Sequence, residues 1–153
     1  MTSVYPAPEA IAKFWDGAIP FTSDQVQTAI NESPLQHLQL IMVDRTYYCL
    51  PDKLCTEMLN HIGTNHIKYI AERFDCDNFS SYFKAIAALN YGTNSVGMIL
   101  DISGQHSYNC VLTCIDSSSP VEVKEVEPQT DKFIVKYPDA EHHYAGTSGV
   151  ILL

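Results

Sequence analysis

The hydrophobic period of the chain changes at Gly92, and that change does most to limit the fold. Upstream, apolar residues recur at helical spacing. "PEAIAKFWDG" sets Ile11, Phe14 and Trp15 on one face and stops at Gly17. "TSDQVQTAINES" opens with Thr22 and Gln25 at capping-box spacing, then stacks Val26, Ala29 and Ile30. "LQLIMV" (38–43) is short and apolar, readable as strand or buried helix. "PDKLCTEMLNHIG" starts with proline at a plausible first helical position, stacks Leu54, Met58, Leu59 and Ile62, and ends on Gly63. A further helix follows Asp75, a good N-cap, with Phe79, Tyr82, Phe83, Ile86 and Asn90 at helical spacing and Gly92 at its close.

Downstream the pattern is that of strands. "SVGMILDIS" is an apolar run of strand formers, "GQ" is a turn, and "HSYNCVLTCI" continues as strand. "DSSSP" is a turn cluster, "VEVKEVE" alternates strictly, and "KFIVKY" and "GVILL" complete the set. Helices followed by consecutive short strands predict one α+β domain over residues 1–153, its N-terminal helices packed on an antiparallel sheet. Residues 1–43 stand as a helical extension or as part of the core.

Composition excludes several function classes. The net charge is −9 and the only arginines are Arg45 and Arg73, so no basic stripe exists for nucleic acid. The acidity favours solubility and cationic substrates. No apolar run approaches the roughly 18 residues of a membrane span. The start, "MTSVYPAPEAIAKFW", lacks the basic and apolar regions of a signal peptide, which makes the cytoplasm the expected location. Oligomeric state is not legible.

Five cysteines leave at least one outside any internal pairing. Cys110 and Cys114 fall in one expected strand, where four residues span roughly 13 Å, too far for a disulfide. Cys49, Cys55, His61 and His66 match no common zinc spacing. "EHHY" (141–144) reads as a surface loop, because consecutive imidazoles on extended chain diverge.

Cys76 is different. It falls in the first turn of the expected helix after Asp75, where unpaired N–H groups and the helix dipole stabilise a thiolate. Asp75 and Asp77 oppose this, unless their carboxylates are tied to the helix start. His106 opens a strand just after the turn, placed to aim its ring into a cleft at the sheet edge. Glu127 ends the following strand, stopped by Pro128, within cross-strand reach of His106. A thiol at a helix N-terminus, a base on a strand and an acid on the next strand form an acyl-transfer constellation. The Cys76 amide is one oxyanion donor by position. Tyr47, Tyr48, Asn60, Asn65 and Gln105 are candidates for the other.

"FDCDNFSSYF", "SVGMILDISGQHSYN" and "VEVKEVEPQTDKF" resemble the papain-like module associated with Marasmius-agglutinin-type fungal lectins, with small stand-alone bacterial and phage relatives. That family shows a "DCDDF" block, a "G-H-A-Y-N" block and an "E-P-Q" block. The resemblance covers about residues 44–153. It implies a papain-like, transglutaminase-like fold and a triad of Cys76, His106 and Glu127. Asn78 stands in place of an acid and Ser107 in place of alanine. No segment is left for the sugar-binding β-trefoil of those lectins, so lectin activity does not carry over. The resemblance brings in calcium, with no ligands assignable here; the residues themselves require no cofactor.

The expected function is a cysteine hydrolase, peptidase or amidase, acting on a protein, peptide or amide through a thioester. With an amine acceptor the same site is an acyltransferase, and with a side-chain amide substrate a deamidase. The alternative from another class is a catalytically silent binding or structural protein on the same fold, of phage descent.

Overall fold

The computed structural model describes residues 8–134 and 147–153. Helix α1 (Pro8–Gly17) leads into strand β1 (Ile19–Thr22) and helix α2 (Ser23–Asn31). Strands β2 (Gln39–Ile41) and β3 (Thr46–Pro51) precede helix α3 (Asp52–Ile62) and a 3-10 turn, Thr64–His66. Helix α4 (Cys76–Tyr91) is followed by β4 (Val96–Asp101), β5 (His106–Cys114), β6 (Glu122–Glu127), β7 (Lys132–Phe133) and β8 (Gly149–Leu152). The α+β class is as expected. "KFIVKY" forms strand only at Lys132 and Phe133, its last residues and "EHHY" with His142 and His143 lying outside the described residues.

Local chemistry sets the helix ends. The Thr22–Gln25 capping box forms: the Gln25 amide N–H donates to Thr22 Oγ at 3.3 Å, and the Thr22 N–H donates to Gln25 Oε1 at 2.8 Å. Gly63 and Gly92 close α3 and α4 in the left-handed region, at φ 71° and 62°. Pro51 is the N-cap of α3, one position earlier than its sequence suggested. Phe14 is buried, but Trp15 is 60% exposed instead of sharing its stripe.

The expectation of an antiparallel sheet on N-terminal helices is corrected. The sheet is mixed, in the order β1-β3-β5-β4-β8-β2, with β6 on the other edge of β5 and β7 beyond it. Strand β2 runs parallel to β8, and β3 runs parallel to β5 at Leu50–Thr113 and Pro51–Cys114. The physical reason lies in the first third of the chain. It contributes three strands as well as helices, each too short to show alternation.

β5 is the centre. It pairs antiparallel with β4 from His106 to Val111 and with β6 from Asn109 to Thr113, and parallel with β3 at its end. Every residue from Ser107 to Cys114 is buried. Tyr108, Cys110, Leu112 and Cys114 enter one core with Val26 and Ile30 of α2. Val111 enters a second, with Phe14 of α1, Met58 of α3 and Phe83 of α4. A strand covered on both faces reads as an unbroken apolar run. No helix among the described residues is long and apolar enough to cross a membrane.

The close of α4 yields a stability prediction. A methyl at Gly92 would sit 1.9 Å from Trp15 Nε1 and would also require a left-handed alanine. Gly92→Ala is expected to cost about 1–3 kcal/mol in urea unfolding. A Trp15→Ala background should recover the steric share; an unchanged loss there would assign the cost to backbone strain alone.

Candidate functional site

The start of α4 is fixed from both sides. Asp75 is its N-cap, and the Asp75 N–H donates to Asn78 Oδ1 at 3.2 Å in a capping box. Asn78, a departure from the resembled pattern, thus completes the helix cap. Asp75 Oδ2 also accepts the Glu72 N–H at 3.1 Å, and Phe74 packs edge-on to Phe79 at 5.0 Å. Cys76 becomes the first residue of the helix, half-buried. The neighbouring Asp77 carboxyl, in hydrogen-bond reach, raises the Asp75 carboxyl above its ordinary value.

A buried amide couples this helix to the sheet. Asn109 Nδ2 donates to Ser80 O of α4 at 3.0 Å and to Gly97 O of β4 at 3.1 Å. Asn109 is therefore structural, tying the helix that begins at Cys76 to the strand that begins at His106. The Ser107 hydroxyl donates to Ile99 O at 2.9 Å, which is likewise a packing role.

His106 emerges where β5 leaves the core. Asp101 shapes the turn before it, its Oδ1 accepting the Ser103 hydroxyl at 2.5 Å and the Gly104 N–H at 2.8 Å. Gln105 completes the turn at φ 52°, an uncommon conformation for a residue with a side chain. The His106 ring lies over Tyr108 at 5.9 Å with 16° between planes, as residues two apart on one strand face allow.

His106 Nε2 and Glu127 Oε2 are 2.8 Å apart, with both side chains largely buried. The carboxylate is held in turn: Glu127 Oε1 accepts the Gln129 N–H at 3.0 Å. Pro128 and the following turn make that bond, since the Thr130 N–H returns to Glu127 O at 3.1 Å. Asp131, at φ 53°, bonds to the Thr64 hydroxyl and accepts the Asn65 N–H at 3.0 Å. The turn carrying the acid is thereby fastened to the segment between α3 and α4.

Cys76 and His106 line one cleft of about 260 Å³ between the start of α4 and the β4–β5 turn. Asp75, Asp77, Asp101 and Gln105 share its wall. The structure thus brings the sulfur and the imidazole to one opening, with Glu127 gripping the imidazole from β6. Of the oxyanion candidates, Gln105 lines the cleft; Tyr47 is in the core, and Asn65 spends its backbone N–H on Asp131. Tyr48 and Asn60 are exposed elsewhere. Sequence reading passed over Asp101. The aspartate before "SG" was a usable turn signal.

The remaining thiols are shut away. Burial pushes Cys49, Cys55 and Cys110 up to about 12 and raises Cys114. Cys49 and Cys55 belong to different cores. Among the described residues no group of three or more His, Cys, Asp or Glu side chains is arranged to hold a metal ion.

No family of known proteins matches the chain by its sequence model, and no curated protein matches it. The solved structures similar to the chain include these two. One is a "PSL1a-E64 complex": TM-score 0.64 and 20% identity, covering 88% of this chain and 51% of that one. The other is Polyporus squamosus lectin bound to the human-type influenza-binding epitope Neu5Aca2-6Galb1-4GlcNAc: TM-score 0.58 and 22% identity, covering 76% and 45%. The chain spans about half the length of both. The chain shares its fold with about half of each of these two structures.

These likenesses correct the description as a hydrolase or thiol protease. The similar structures are lectins, which agrees better with the binding-protein alternative than with a hydrolase. They give no support to a protein substrate.

One titration, on β6 beside Tyr108, is open to measurement. Burial pushes Glu125 of β6, beside Tyr108, from 4.5 up to about 7; nearby Asp101 adds to the rise and the Tyr108 hydroxyl opposes it. The folded state then holds a proton that the unfolded chain has released. The group's stability contribution is complete below pH 4.5 and is lost as pH rises to about 7. The total is on the order of 3 kcal/mol. Glu125→Gln should flatten the urea-derived stability profile between pH 4.5 and 7 by that order. An unaltered profile would show that another group carries the dependence.

Proposed function

We propose that the cleft is a thiol-based acyl-transfer site acting on an acyl donor such as an ester or amide. The supporting observation is the 2.8 Å contact between His106 Nε2 and Glu127 Oε2, with Cys76 on the same cleft as the ring. With Nε2–H given to the carboxylate, Nδ1 is the basic nitrogen of the neutral ring. Cys76 passes its proton to Nδ1 as its sulfur bonds to the carbonyl carbon, and that proton leaves with the departing group. A thioester results, and an amine acceptor takes the acyl group while its proton returns through the ring to the sulfur. The Cys76 amide and the Gln105 side chain supply the oxyanion donors. Glu127 orients the ring and stabilises its cationic form.

A second reading has its own observation: one similar structure is a lectin bound to a glycan. Under it the cleft recognises a ligand and transfers nothing, the thiol, ring and acid being retained by descent. The two readings part at the sulfur.

Iodoacetamide should modify Cys76 selectively in the folded protein, with the four buried cysteines reacting only on unfolding. E64, the compound complexed in one of the similar structures, provides a second probe. A p-nitrophenyl ester should give a burst of one equivalent of nitrophenol that Cys76→Ala abolishes. Glu127→Gln should slow the burst by roughly 10- to 100-fold while the protein stays folded. Uniform labelling of all five cysteines, or a burst that persists in Cys76→Ala, would leave the binding reading in place.

A further inference from the structure

A second pocket lies on the same helix, away from the thiol. It occupies about 440 Å³ between α4 and the paired strands β4 and β8, within the range of small-molecule sites. Ser81, Lys84, Ala85 and Ala88 recur at helical spacing on the α4 side. Met98 and Leu152 stand directly opposite one another on the sheet side, because β4 and β8 pair at that register. The walls are chiefly apolar, and the alanines carry only methyls, leaving space above the sheet.

Lys84 is the polar exception. Its ammonium is half-buried and donates to Val96 O at 2.5 Å. Among the described residues no carboxylate lies within ion-pair distance of it. The nearest influences are the field of Asp44, itself held by Asn94 Nδ2 at 2.9 Å, and the buried Cys110 thiol. Burial lowers the Lys84 ammonium below its ordinary value, so an added anion would relieve a cost the folded protein already carries. Thr93 and Asn94, also on the wall, are committed to neighbouring backbone and side chains. The Ser81 hydroxyl donates to Met98 Sδ at 3.5 Å, so the Lys84 ammonium, beyond its bond to Val96 O, is the group left to face an occupant.

We propose that this pocket binds a small amphipathic monocarboxylate. The carboxylate pairs with the Lys84 ammonium, and the hydrocarbon lies on Met98, Leu152, Ala85 and Ala88. Charge selects for the anion and the apolar floor selects for an alkyl or aryl tail. The assignment does not depend on the chemistry of Cys76.

The test is titration of the intact protein with octanoate, followed by calorimetry and by NMR of the Met98 methyl and the backbone amides. Octanol and octylamine, matched in tail length, are the controls. Saturable octanoate binding is expected, with shifts centred on Ser81, Lys84, Met98 and Leu152 and little response to either control. Lys84→Gln should weaken binding by roughly tenfold or more. Lys84→Arg should retain it and guards against a folding defect. Octanol binding as well as octanoate, shifts located elsewhere, or an affinity indifferent to Lys84→Gln would overturn the assignment. Absence of saturable octanoate binding by the unmodified protein would overturn it directly.

Discussion

Strand β5 is buried on both faces, and this double covering sets the position of almost everything else. Its eight buried residues give Cys110, Leu112 and Cys114 to the α2 side and Val111 to the side of α1, α3 and α4. With a fully buried side chain worth roughly 1.5–3 kcal/mol in transfer, the strand cannot slip by one residue without exchanging the two cores. Only its first residue, His106, remains half-buried, because there the strand passes out from between its layers. The ring is thus located by packing that lies behind it.

The same strand carries the device that registers the helix against the sheet. Asn109 gives its two amide protons to Ser80 O on α4 and Gly97 O on β4, so a single side chain ties three elements at one point. A buried amide is an economical anchor because leaving its donors unmade costs about 1–3 kcal/mol each. On the other edge of β5, the acid is positioned by its own turn: Gln129 fixes one carboxylate oxygen and leaves the other at His106. The carboxylate is held by the backbone of its own turn and in turn holds the imidazole.

Much of this was readable from residues alone. Helix ends declared themselves through Thr22 with Gln25, Asp75, Gly63 and Gly92, because caps are local chemistry. The pairing of His106 with Glu127 was readable because neighbouring antiparallel strands put their ends within reach. The parallel junctions were not. β2 meets β8 across more than a hundred intervening residues, and "QLI" contains nothing that names a partner. β1 was hidden between a helix stop and a capping box, four residues long with one side chain buried. Trp15 followed helical spacing yet faces outward, since it covers the close of α4 at Gly92 instead of entering the core. The hydrolase description finds no support among the similar structures, one of which is a lectin bound to a glycan, because a fold does not by itself fix a function.

Asp131, bonded to Thr64 and Asn65, closes a loop of 67 residues with two small contacts. Everything the cleft needs falls inside or beside that loop, on α4, β5 and the β6–β7 turn. Closing spans of this length loses chain entropy before any compensating contact is gained, so the geometry at the imidazole has no independent existence as a fragment. Its geometry rests on contacts far apart in the sequence, and its integrity therefore reports on the tertiary fold that brings them together.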